Sequence, residues 1–239
     1  MNQNRSGMIL ALMAGVAVVL PVHAQGAQSR YPKMAPLGQY LMADRNAEIT
    51  LARSAAPKAI SDHAEVMVLG RKGFEVAIPG TNHFVCIVER SWNAAIGDPV
   101  FWNPKIRGPD CFNEAAAKSY LPIVFMRTRL ALAGKSQAQI GEALRTAFAA
   151  NKLPGMEPGA MSYMLSKNAY LSDQGRNWHP HLMFFVPLAV GKNSGANLPG
   201  SPVLASDDTV DRLTIFMVPV ARWSDGTPAI SVKNRVRSK

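Results

Sequence analysis

Residues 65–89 read EVMVLGRKGFEVAIPGTNHFVCIVE. Apolar side chains dominate Glu65 to Leu69, alternate from Phe74 to Ile78 and return from His83 to Glu89. Gly70-Arg71-Lys72-Gly73 and Pro79-Gly80-Thr81-Asn82 separate these runs with turn-forming residues. Short period-2 runs joined by tight turns predict a three-strand antiparallel meander.

On the N-terminal side the period changes. Leu37, Tyr40, Leu41, Ile49, Leu51 and Ala52 have helical spacing, so a helix is expected from Pro36 to about Ala55. Pro36 suits a first helical turn and Pro57 marks the stop. On the C-terminal side, Ser91 to Asp110 has little periodicity. Asn113 can open a helix through Glu114-Ala115-Ala116-Ala117, and Pro122 interrupts it. Ile123-Val124-Phe125-Met126 fits a strand or a buried helix. Ser136-x-x-Gln139 is a capping-box pattern opening Ile140 to Ala150. Strands are expected over 160–165, 181–186 and 213–218. Strands, then helices, then strands predict an α+β fold with a mainly antiparallel sheet and the helices packed on one face.

The first residues speak to compartment. Arg5 precedes an apolar run from Met8 to Leu20, and Val22-His23-Ala24 has small residues where a signal peptidase reads. This is a secretory signal pattern, with cleavage expected after Ala24. Its apolar core of about 13 residues is short of the roughly 20 that span a bilayer. The expected organisation is therefore a signal peptide at 1–24, a flexible segment at 25–35, a single domain at 36–230 and a basic flexible tail at 231–239. The expected location is the periplasm or beyond, with no transmembrane segment in the mature chain. Cys86 and Cys111 are the only cysteines. An even count in an exported chain predicts a disulfide, worth about 3 kcal/mol for a loop of about 25 residues.

The net charge is +10 over 239 residues, and its one dense run is the tail, KNRVRSK at 233–239. Such a balance favours anionic partners. Nucleic acid fits poorly, because the chain has no recognisable binding module.

Chemistry is signalled most clearly by NWHPHLMFFV at 177–186. On a strand His179 and His181 would point the same way, as two ligands of one transition metal would. Third ligands would come from His63, His83, Glu89 or Asp173. The plainer alternative is that one histidine bonds backbone while the other caps the core. Met161, Met164 and Met183 could suggest copper, but methionines in apolar strands more often fill the core. Ser162 and Ser166 lack a nucleophile elbow. Ala133-Gly134-Lys135-Ser136 ends like a phosphate loop, but Arg129 stands where that loop needs glycine. Trp102 and Trp178, with Trp92, can line a ligand pocket, and Arg176, Lys105 and Arg107 could hold an anionic group.

Five strings carry a resemblance: ARSAAPKAIS at 52–61, GTNHFVCIVERSW at 80–92, FWNPKIRGPDCF at 101–112, NWHPHLMFFVP at 177–187 and GANLPGSPV at 195–203. Together they resemble an uncharacterised family of exported bacterial proteins, over most of the mature chain. The resemblance implies no activity, cofactor or catalytic residue. The family pattern has glycine where His83 stands, which makes His83 a poor essential ligand.

The expected function is an exported cell-envelope protein that binds a small molecule or an anionic envelope component, without a cofactor. Its site would gather Trp178, His179, His181, Trp102 and Arg176. The alternative is a metal- or histidine-assisted hydrolase at His179-Pro180-His181.

Overall fold

The structure is a computed structural model and describes residues 30–175, 177–188 and 193–229. The signal peptide and the basic tail expected at the two ends lie outside the described residues. Eight strands form one sheet: β1 (Glu65–Gly70), β2 (Gly73–Ile78), β3 (Val85–Glu89), β4 (Gly108–Phe112), β5 (Met161–Met164), β6 (His181–Pro187), β7 (Leu204–Asp208) and β8 (Leu213–Pro219). Their order is β2-β1-β3-β4-β5-β6-β8-β7. Every pairing is antiparallel except β1 with β3. The fold is α+β, as expected.

The meander is not what forms. β1 and β2 make the hairpin, but β3 lies parallel to β1, with Glu65 opposite Val85 and Val66 opposite Cys86. The connection after β2 crosses the start of β1. Thr81 N–H donates to His63 O at 2.7 Å, and Glu65 N–H donates to Phe84 O at 2.8 Å. Gly80 makes the crossing possible: a Cβ there would sit 2.2 Å from Glu65 N. His83 follows with a φ of 62°. That left-handed conformation is the one glycine adopts most readily.

Five helices are present among the described residues: α1 (Arg45–Arg53), α2 (Lys58–Ser61), α3 (Glu114–Ser119), α4 (Leu121–Leu132) and α5 (Gln137–Ala149). Helix α1 begins later than expected, because the Asp44 carboxylate caps it by accepting from Asn46 N–H at 2.8 Å. Pro57 precedes α2 directly. Asn113 caps α3 through Ala116 N–H. Pro122 sits in the first turn of α4, where its missing N–H is harmless. Residues 123–126 are therefore helix, not strand. The capping box on α5 forms in full, with Gln139 N–H to Ser136 Oγ and Ser136 N–H to Gln139 Oε1.

The helices do not share one face. Alternation puts Leu69, Ile87, Phe112, Met183 and Phe185 on a front face, in one core with Ile123 and Val124 of α4 and Ile140 and Leu144 of α5. Val66, Cys86, Val88 and Cys111 point to the back, where Ala52, Ala55 and Ala56 pack on them. Methyl-sized side chains let α1 approach the sheet closely, over the disulfide. Chain order explains the split. Helix α1 arrives before β1, whereas α3 to α5 are inserted between β4 and β5.

Cys86 and Cys111 are bonded and face each other directly across β3 and β4. A buried ion pair reinforces this half. Arg90, 1% exposed, donates to Glu48 Oε1 at 2.8 Å, to Tyr40 O at 2.7 Å and to Val88 O. Glu48 Oε1 also accepts from Leu69 N–H at 3.1 Å. Burial lowers the Arg90 pKa, and Glu48 opposes that shift.

Candidate functional site

Strand β6 begins at His181, so the two histidines do not share a strand. His181 is 4% exposed, whereas His179 lies in the loop before the strand and is exposed. His181 Nδ1 lies 2.7 Å from His179 O. A carbonyl can only accept, so Nδ1 carries the proton and Nε2 the lone pair. The Trp178 ring packs edge-on against His181 at 4.7 Å and lies 5.8 Å from His179. Burial lowers the His181 pKa; the bond to His179 O opposes this and the neighbouring ring adds to it. One ring thus both bonds backbone and closes the core. Among the described residues no three His, Cys, Asp or Glu side chains come together as a metal site.

The remaining sequence candidates scatter. His63 and His83 are exposed at the opposite end of the strands from His181. Trp102 is 5% exposed, packs edge-on to Phe101, and its carbonyl accepts from Tyr40 Oη at 2.8 Å. It is a core residue. Asp173 is a hub for loops: it accepts from Tyr31 Oη at 2.5 Å, Tyr170 Oη at 2.7 Å and Asn103 Nδ2 at 3.5 Å, and pairs with Arg30 at 3.2 Å. The Tyr31 and Tyr170 hydroxyls hold its pKa down at about 2. This hub ties down Arg30 and Tyr31, within the segment expected to be flexible. Arg176 lies outside the described residues.

The most unusual chemistry is elsewhere. Ile87 pairs with Asp110 and Glu89 with Gly108, so Glu89 and Asp110 are diagonal neighbours on the front face, about 7–8 Å apart at Cα. Asp110 is fully buried; Glu89 is partly exposed overall, but its Oε1 is sealed. Neither Asp110 oxygen, nor Glu89 Oε1, nor Ser162 Oγ has a hydrogen-bond partner within the protein. Burial pushes Glu89 up to about 8, against the pull of Arg127. Asp110 is raised well above the ordinary carboxyl range, first by burial and then by the Glu89 charge. The Ser162 hydroxyl and Cys111 N–H offset part of that rise, although neither completes a hydrogen bond of normal geometry. Burial thus favours the protonated form of both carboxyls, and the Glu89 charge adds to this at Asp110.

Arg127, 1% exposed on α4, roofs this cluster. It donates to Asp211 at 2.8 Å, Ala94 O at 2.9 Å and Trp92 O at 3.2 Å, with Asp208 at 3.5 Å. Burial works against its charge, but Asp211 and Asp208 more than compensate, and its pKa is raised.

A second feature is an apolar row that lies outside the two cores of the described residues. Phe184 pairs with Phe216, Leu182 with Val218, and Met161 with Phe184, all on the back face. These five and Val186 are partly exposed and belong to neither core. Helix α1 packs over β1, β3 and β4, so it stops short of them.

Asp110 was missed in the sequence because it falls in a stretch read as irregular. The cysteines held the signal. A disulfide between strand neighbours puts Asp110 and Glu89 together on the face opposite the two sulfurs. Compared with family models, curated proteins and solved structures, the chain matches none.

Proposed function

We propose that this is an exported cell-envelope protein that acts by binding, and that the partly exposed back face of β5, β6 and β8 docks on an anionic lipid surface. The observation that carries this reading is the row Met161, Leu182, Phe184, Val186, Phe216 and Val218, apolar and outside both cores. Apolar side chains at a sheet surface mark an interaction site. Charge supports the choice of occupant. The chain carries +10, and Lys233, Arg235, Arg237 and Lys239 follow Ala229, whose N–H is held by Ala221 O at 2.8 Å just past β8. An apolar face on a strongly basic chain suits anionic headgroups over acyl chains. The disulfide fits an oxidising compartment. No described helix is long and apolar enough to cross a membrane, so the association would be peripheral. The histidine-assisted hydrolase has less support, since among the described residues no third ligand-type side chain joins His179 and His181.

The test is co-sedimentation of the oxidised mature chain with phosphatidylglycerol vesicles and with phosphatidylcholine vesicles. Preference for the anionic vesicles, weakened about tenfold or more by Phe184→Ser/Phe216→Ser and by high salt, is the expected result. Equal binding of wild type and double variant would overturn it. A wild-type dimer that the double variant dissociates, with no vesicle binding, would give the face to a second copy instead.

A further inference from the structure

We propose that Glu89 and Asp110 form a shared proton site that holds α4 on the sheet and lets it loosen when the proton is lost. The geometry is a cluster of buried, unpartnered polar atoms on the front face of the sheet. Glu89 and Asp110 project from β3 and β4, and Ser162 from β5 is fully buried beside them. Tyr120, at the junction of α3 and α4, stacks on Phe185 at 4.2 Å and closes one wall; its pKa is raised by burial first and then by the Glu89 charge. Arg127 of α4 forms the roof, paired with Asp208 at the end of β7 and Asp211 in the β7–β8 turn. His181 of β6 lies on the same face, two strands from Asp110.

The charges within this shell decide the behaviour. Asp211 and Asp208 already neutralise Arg127, so it has little left for a second carboxylate. With one proton on the pair, the cluster holds a single negative charge. Without it, two negative charges share a space from which water is excluded. The cheapest response is to admit water, and α4 with its Arg127 anchor is the element above the pair. Protonation therefore favours the closed state and ionisation the open one. The chemistry balances, because the only species exchanged is a proton with solvent. A protein outside the cytoplasm meets the pH of its surroundings, so such a site would be exercised.

Two measurements on the oxidised mature chain test this. Infrared difference spectra of wild type should show a protonated carboxyl near pH 7, lost by about pH 9.5, with only a weaker band from Asp110 in Glu89→Gln. Hydrogen exchange of the α4 amides, corrected for intrinsic rates, should lose about tenfold protection over the same interval in wild type and much less in Glu89→Gln. No protonated carboxyl in wild type near pH 7 would overturn the proposal, even if the variant failed to fold. Equal pH-dependent loss in wild type and variant would overturn the link to α4.

Discussion

The two halves of the sheet are built differently. Strands β1, β3 and β4 are covered on both faces, by α1 behind and by the helical core of α4 and α5 in front, and are braced by Cys86–Cys111 and the Arg90–Glu48 pair. Strands β5, β6 and β8 share the front core but turn Leu182, Phe184, Phe216 and Val218 toward a back face that no described core claims. The first half carries redundant stabilisation and the second leaves apolar surface unused. That difference is the physical basis for assigning stability to one half and binding to the other.

The sharpest way to break this comparison is a matched pair of truncations. Phe112→Ala, on the covered half, should cost about 3–5 kcal/mol because a filled site becomes a cavity. Phe184→Ala, on the open face, should cost about 1 kcal/mol or less. Urea denaturation of the two variants measures both, and equal losses would mean that the back face is packed after all. Next in size is the disulfide. Cys86→Ser/Cys111→Ser should lower stability by about 3 kcal/mol, read from the urea midpoint. A much smaller loss would show that the alanine face of α1 and the Arg90–Glu48 pair hold β3 and β4 without the covalent link.

A further test is a slope. Glu89 has its folded pKa raised to about 8, so the folded state binds its proton more tightly than the unfolded chain does. Its contribution is fully present below the unfolded carboxyl pKa of about 4.5, and is lost as pH rises through about 8. Stability should therefore fall across that window, by at most about 1.4 kcal/mol per pH unit for one proton. Glu89→Gln should flatten the fall. An unchanged slope in the variant would remove the pair from the account of the front core.

Local signals were read well where they act over a few residues. The Ser136–Gln139 box, the Asn113 cap and the break at Pro122 depend only on nearby backbone groups, and all three are realised. The disulfide was legible because there are only two cysteines. Strand β4 was not, since Gly108-Pro109-Asp110 lacks alternation; it is a strand because β3 and β5 flank it. The ligand pocket expected around Trp102, Trp178 and the two histidines came from residue types alone, and packing buries Trp102 elsewhere.

By itself the sequence determined the α+β class, most strand and helix positions, the disulfide and the basic charge balance, because periodicity, caps and composition are properties of short segments or of the whole count. Tertiary structure decided that β3 runs beside β1 rather than β2, that helices cover both faces, and that Glu89 meets Asp110 beneath Arg127. Those outcomes depend on where the chain crosses over the sheet. In this molecule Gly80 lets the backbone pass against Glu65, and the later strands are added outward from β3.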